Sequence, residues 1–157
     1  MRKGVKKDFN YVWDVIELSI LIIVGYSVLD MLLSISTYIG KVIPASIFGI
    51  LILIFGFGTI GYISAKKKDS ESAGKYGAYA GLIVGLASAI IGIITFYYFP
   101  EKIAAALEQA AQKGADISAA QSFMKIGLYI NFIISPAINA GIGALVAWIS
   151  GLIFRKK

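Results

Sequence analysis

The sequence of 157 residues contains no cysteine and no histidine. Without cysteine the chain has no disulfide, no thiol nucleophile and no thiolate-bound zinc or iron–sulfur centre. Without histidine it lacks the commonest metal ligand and the commonest general base. Charge is scarce as well, because 15% of the residues are charged and 58% are hydrophobic. This balance excludes an ordinary soluble domain. We therefore predict a membrane protein that is not an enzyme and that needs no metal and no cofactor.

The net charge of +6 raises the alternative of a nucleic-acid-binding protein. A nucleic-acid interface places basic residues over one surface, often with aromatic side chains between them. Here the lysines and arginines form short clusters next to apolar stretches, which is the pattern of a membrane protein. We therefore predict the lipid bilayer as a partner and no nucleic acid.

Four apolar stretches fill most of the chain. A helix needs roughly 20 apolar residues to cross the hydrocarbon core of a bilayer, and each stretch reaches that length. We predict an all-α integral membrane protein, with residues 1–157 forming a single domain built on a bundle of four transmembrane helices. The predicted spans are about 15–39, 43–65, 76–99 and 126–154. This composition is similar to that of small, glycine-rich, four-span proteins of prokaryotes.

The orientation of the spans follows from the basic residues, which are retained on the cytoplasmic side. Eleven of the fifteen precede the first span, join the second to the third, or follow the fourth. The other four, assigned to the opposite side, are Lys41, Lys102, Lys113 and Lys125. We predict a multi-pass protein of the cell membrane with both termini in the cytoplasm.

The segment between the third and fourth spans predicts an amphipathic helix on the extracytoplasmic side, over about residues 101–113. Pro100 suits the first turn of this helix, and Gly114 suits its end. Ser118 and Gln121 have the spacing of a capping box that begins the fourth span. The outer helix is either a connector that rests on the bundle or a lid that docks a partner.

Glycines recur at helical spacing and predict close helix packing. The third predicted span carries Gly77, Gly81, Gly85 and Gly92, and the second carries Gly49 and Gly56. Residues 56–61 also match the dinucleotide fingerprint GxGxxG, but that motif must join a strand to a helix, and here it lies within an apolar helix. The spacing leaves open whether the glycines pack within one chain or between subunits.

Asp30 lies near the middle of the first predicted span, where a carboxylate costs on the order of 3 kcal/mol on the insertion scale. Ser27 and Ser34 share its helical face. A second polar face follows the fourth predicted span at steps of four residues: Asn131, Ser135 and Asn139. At about 1.5 Å per residue the two faces overlap in depth. We therefore expect Asp30 to face the fourth span and to share hydrogen bonds with it, either as polar glue or as a proton or cation site.

Two functions of different class follow from these patterns. The first is an accessory, assembly or structural component of a membrane complex, which contacts other membrane subunits through its glycine faces. The alternative is a small proton- or cation-coupled transporter or channel that uses Asp30 and the polar face of the fourth span. Such a transporter is expected to be a homo-oligomer, because one bundle of four helices encloses little volume.

Overall fold

The computed structural model describes residues 9–35, 45–114 and 116–155. Within these ranges the chain forms five α-helices and a single 3-10 turn at Ser70–Ser72. The helices are α1 Phe9–Leu33, α2 Ala45–Lys66, α3 Ala73–Tyr98, α4 Pro100–Gln112 and α5 Ile117–Ile153. Four of them, all except α4, are long and apolar enough to cross a membrane. This confirms the prediction of a multi-pass helical protein. Lys41 and the predicted turn around it lie outside the described residues.

The four long helices form a bundle with a definite order. α3 packs against α5, α5 against α2, α2 against α1, and α1 against α3. α2 and α3 also touch across the middle of the bundle, whereas the described residues of α1 and α5 make no contact with each other. α1 and α5 therefore lie at opposite corners.

Apolar side chains from the long helices fill the centre of this bundle. Val15 of α1, Phe57 and Ile60 of α2, and Val84 of α3 are almost completely buried, and Ala147 of α5 is buried beside them. Lipid is as apolar as these side chains, so burial alone contributes little to helix association in a bilayer. Tight contacts between the helices are therefore the main stabilising interaction.

α4 is a short helix close to the predicted outer helix in length and position. It begins at Pro100, and its C-terminal end is closed by Gly114, which has a φ of +83° and donates its backbone N–H to Ala111 O at 2.8 Å. Glycine adopts this left-handed backbone without steric cost. Ile103 and Leu107 are half-buried, while Glu108 is exposed. α4 thus lays an apolar face on α3 and α5.

α5 begins at Ile117, close to the start that was predicted at Ser118 and ahead of the predicted span from about residue 126, and it contains 37 residues. Its N-cap is Asp116, whose Oδ1 accepts hydrogen bonds from Ser118 N at 2.7 Å and Ala119 N at 3.4 Å. The backbone N–H of Ser118, with further bonds from the Ser118 hydroxyl and Ala119 N, holds the pKa of Asp116 below its ordinary value. The predicted capping box of Ser118 and Gln121 is therefore wrong, because an acidic cap satisfies the free N–H groups two residues earlier.

Candidate functional site

Asp30 lies in the last turn of α1; the end of the predicted span, residues 36–39, lies outside the described part of the chain. Helical geometry stops at Leu33, and Ser34 has a φ of +52° in the left-handed region. Ser34 N donates to Asp30 O at 2.8 Å, which closes the final turn. Ser27 lies one turn earlier, where its hydroxyl donates to Ile23 O at 2.9 Å. The polar face predicted around Asp30 is therefore at the end of a helix.

Lys102 of α4 binds this end of α1 through its ammonium group. Its Nζ donates to Met31 O at 2.6 Å and to Asp30 O at 3.2 Å. The last carbonyl groups of a helix have no partner within the helix and carry the negative end of its dipole, so a cation stabilises them. The spacing of the lysines predicted an outer position for Lys102 but no contact with α1. This contact joins α4 to a helix that it does not otherwise approach.

The polar face of α5 divides into a buried part and an exposed part. Ser135 is buried and Asn139 is half-buried, and Asn139 Nδ2 donates to Ser135 O at 2.9 Å and to Ser135 Oγ at 3.2 Å. Asn131 is exposed. These hydrogen bonds stay within α5, beside the helical proline Pro136.

The structure corrects the prediction that Asp30 faces this polar surface. α1 and α5 occupy opposite corners of the bundle, and their described residues do not touch. Similar depth in the membrane was therefore not sufficient to bring the two faces together, because α2 and α3 separate them. In one copy of the chain, Asp30 and the α5 residues do not form one site.

The glycines of α3 lie along its contact with α5. A Cβ atom added to any of three of them would overlap the α5 backbone: Gly77 at Gly143, Gly81 at Asn139, and Gly85 at Pro136. Only glycine lets two helices approach to this distance. At these positions the alternative left open by the spacing is resolved in favour of contacts within one chain.

The other predicted packing glycines have different surroundings. A Cβ atom on Gly56 would stand 2.5 Å from Ile23 Cγ1 of α1. A Cβ atom on Gly92 would make only an ordinary contact, with Leu128 Cδ2 at 3.7 Å. Gly49 has no described atom within 4 Å of its Cβ position, so a packing role for Gly49 stays a prediction.

An open groove with a volume of about 370 Å³ lies where α3, α4 and α5 meet, and we call it the outer cavity after the predicted outer helix. Its lining comprises Gly92 and Phe96 of α3, Ile103 of α4, and Met124, Gly127, Leu128 and Asn131 of α5. Of the described residues that line it, Asn131 alone has a polar side chain. The outer cavity thus brings together Gly92 and Asn131, which the sequence had placed in two separate sets.

A network of polar side chains lies at the opposite end of the bundle, around the turn from α2 to α3. Tyr76 OH donates to Asp69 Oδ2 at 2.6 Å, and Tyr11 OH approaches the same oxygen at 3.5 Å. Lys67 Nζ lies 3.4 Å from Asp14 Oδ2 and 4.8 Å from the centroid of the Tyr11 ring. The network ties the start of α1 to the turn. Sequence reasoning missed it because a tyrosine near the start of a span, such as Tyr11, is equally typical of an interfacial aromatic belt.

Comparisons with known protein families, with curated proteins and with solved structures find no match to this chain.

Proposed function

We propose that the chain is a non-enzymatic, multi-pass protein of the cell membrane that acts as an accessory, assembly or structural component of a membrane complex. The observation that carries the proposal is the packing of the bundle. α3 and α5 meet at backbone distance, and the interior is filled mainly by apolar side chains, with Ser19 and Ser64 as its fully buried polar residues among those described. Asp30 and the polar face of α5 lie on helices that do not touch. This arrangement favours a structural role over the transport alternative.

The positions of the basic residues support an orientation with both termini in the cytoplasm and α4 on the outer side. Lys67 and Arg155 form ion pairs, with Asp14 and Glu71 respectively, at the bundle end that holds the turn between α2 and α3. Lys102 lies at the other end, with α4. The described members of the larger basic set are therefore at one end of the bundle, as expected for a cytoplasmic surface.

Cysteine labelling tests this orientation cleanly, because the chain has no cysteine of its own. In intact cells, a membrane-impermeant maleimide is expected to label Gln112→Cys at the end of α4. It is expected to label Glu71→Cys only after permeabilisation. The reverse pattern would contradict the proposed orientation.

The outward face of α5 (Ile133, Ala137 and Gly141) is the surface on which we place a partner helix. All three residues are exposed, Ile133 at 79%, and no described atom lies within 4 Å of a Cβ position on Gly141. The bundle does not need glycine at this position. Small residues four apart let a second helix approach closely.

Native mass spectrometry of the tagged chain, gently extracted from its own membranes, tests the function. We expect unlike subunits to co-purify in fixed ratio, and Gly141→Leu to release them because its side chain would block a close approach. Gly25→Leu is the matched control, since it makes the same change at an open glycine on α1.

A monomer, or retention of partners by Gly141→Leu, would contradict the proposal in this form. A homo-oligomer would instead favour transport, because Asp30 of one copy would then have access to α5 of another. An Asp30→Asn flux assay in liposomes would follow in that case, with loss of coupled flux as the expected result.

A further inference from the structure

The outer cavity has the properties of a binding site for an apolar chain. Its volume of about 370 Å³ falls within the range of roughly 300–1,000 Å³ that is typical of ligand pockets. A buried water molecule needs two to four polar partners, and Asn131 is the one polar side chain among the described lining residues. The lining is therefore suited to apolar matter.

Two glycines create this space without being needed for helix packing. No described atom lies within 4 Å of a Cβ position on Gly127, and the nearest to one on Gly92 is Leu128 Cδ2 at 3.7 Å. By contrast, three glycines nearer the N-terminal end of α3, Gly77, Gly81 and Gly85, lie against the α5 backbone. Side chains at residues 92 and 127 would fill the cavity while leaving the backbone contacts of the bundle intact.

The position of the cavity along the helices indicates which apolar molecule enters it. Gly92 lies six residues before the end of α3 at Tyr98, or about 9 Å along a helix. Asn131 and its neighbours Tyr129 and Ile130 are exposed, so α5 borders the cavity with a surface that faces the bilayer in a spanning helix. This depth corresponds to the upper acyl chains of one leaflet, just below the headgroups. The Asn131 amide is suited to donate a hydrogen bond to the ester carbonyl of a lipid.

Lys125 adds charge to this site. It is exposed, and its ammonium makes no ion pair or hydrogen bond with the described residues. Lys125 and Leu128, which lines the cavity, are three residues apart and are therefore neighbours on the helix surface. A long side chain on a helix leans toward the N-terminus, here toward the end of the bundle that carries α4. The ammonium of Lys125 thus points to the level of the lipid headgroups.

We propose that the outer cavity is a specific site for one anionic phospholipid, with an acyl chain between α3 and α5 and the phosphate at Lys125. This site goes beyond the accessory function, because it needs no protein partner. Neutral lipids share the apolar chain but lack the net charge that Lys125 would attract. The two classes are therefore distinguishable.

Native mass spectrometry of the purified full chain in neutral detergent tests the site by titration with phosphatidylglycerol or phosphatidylcholine. We expect one phosphatidylglycerol to remain bound to the wild type and to Gly25→Leu, which carries the same change at an open glycine on α1, outside the cavity. Gly127→Leu is expected to lose this lipid. Lys125→Gln is expected to reduce the preference for phosphatidylglycerol by about fivefold, the effect of one lysine near an anionic surface.

Gly92→Leu fills the same cavity from α3 and serves as a second test if Gly127→Leu does not fold. Binding of phosphatidylglycerol by a folded filling variant as tightly as by the wild type would overturn the site. Equal retention of the two lipids by the wild type would overturn the role of Lys125 and with it the anionic specificity.

Discussion

Replacing Gly81 by alanine is the sharpest test of the packing between α3 and α5. The added methyl carbon would stand 2.7 Å from Ala140 Cα and would overlap the Asn139 carbonyl. Both neighbours are backbone atoms, so no side-chain rotation relieves the overlap. We expect the two helices to separate and the bundle to lose stability.

The size of the effect follows from two opposing contributions. Carbon atoms attract at about 3.5–4.0 Å, so α3 and α5 must move apart by about 1 Å, which also weakens the contacts at Gly77 and Gly85. Overpacking of this kind costs about 1–3 kcal/mol, whereas alanine has a helix propensity about 1 kcal/mol better than that of glycine. Gly141→Ala has the propensity gain without the overlap. The difference between the two variants therefore isolates the overlap, at about 1–3 kcal/mol.

Reversible unfolding in mixed micelles with increasing dodecyl sulfate measures this difference. Trp148 of α5 is a suitable fluorescent reporter, because its Cβ lies 3.3 Å from the Cβ position of Gly74 on α3. A Trp13→Phe background makes the signal specific. Gly81→Ala should unfold at lower dodecyl sulfate than the wild type, and Gly141→Ala at equal or higher concentration. Equal midpoints for the two variants would refute backbone contact between α3 and α5.

Three further results are expected. Lys102→Met should speed amide exchange in α4, since hydrogen bonds from a charged donor contribute about 1.5–3 kcal/mol. Lys113→Met should not, because the Lys113 side chain has no partner among the described residues. Equal exchange rates in the two variants would refute the contact between Lys102 and α1. Asp116→Ala should speed exchange at the Ser118 amide. In the wild type, the pKa of Asp116 is lowered on folding. The stabilisation from this cap is therefore present above the ordinary value of 3.8 and is lost as the pH falls through the folded value. Protection of the Ser118 amide that does not change in acid would contradict this prediction. Ser150→Ala removes a 2.7 Å bond to the α2 backbone and should cost about 0.6 kcal/mol in the dodecyl sulfate titration, and no cost would mean that the bond adds no stability.

The helices themselves were predictable from the sequence because their signals are local. Length and apolar composition are enough to identify a spanning helix, and Pro100 and Gly114 are turn residues whose backbone preferences do not depend on distant contacts. The cap of α5 was missed because Ser118 and Gln121 match a capping pattern. Asp116 is as good a cap by residue type, and the choice between the two depends on where the preceding chain turns.

The order of helices around the bundle was not predictable, and this explains the error at Asp30. Rise per residue gives the depth of a side chain in the membrane, but its neighbours depend on which helices are adjacent. All four long helices are strongly apolar, so hydropathy does not distinguish a helix face that packs on another helix from one that contacts lipid. The glycines of α3 come closest to such a signal, because they require a partner with an accessible backbone. α5 meets that requirement with Gly143 and the backbone at Asn139 and Pro136.

The electrostatic contact between Lys102 and α1 was also not predictable from the sequence. The C-terminal end of any helix offers free carbonyl groups to a cation. At α1 the donor is Lys102, which is 71 positions away from Met31 in the sequence. Nothing in the spacing of either segment encodes that contact. It follows from the fold, because α4 comes directly after the C-terminal end of α3, next to the corner that α1 occupies. Asp30 is consequently held at a helix end whose carbonyl groups bind the ammonium of Lys102.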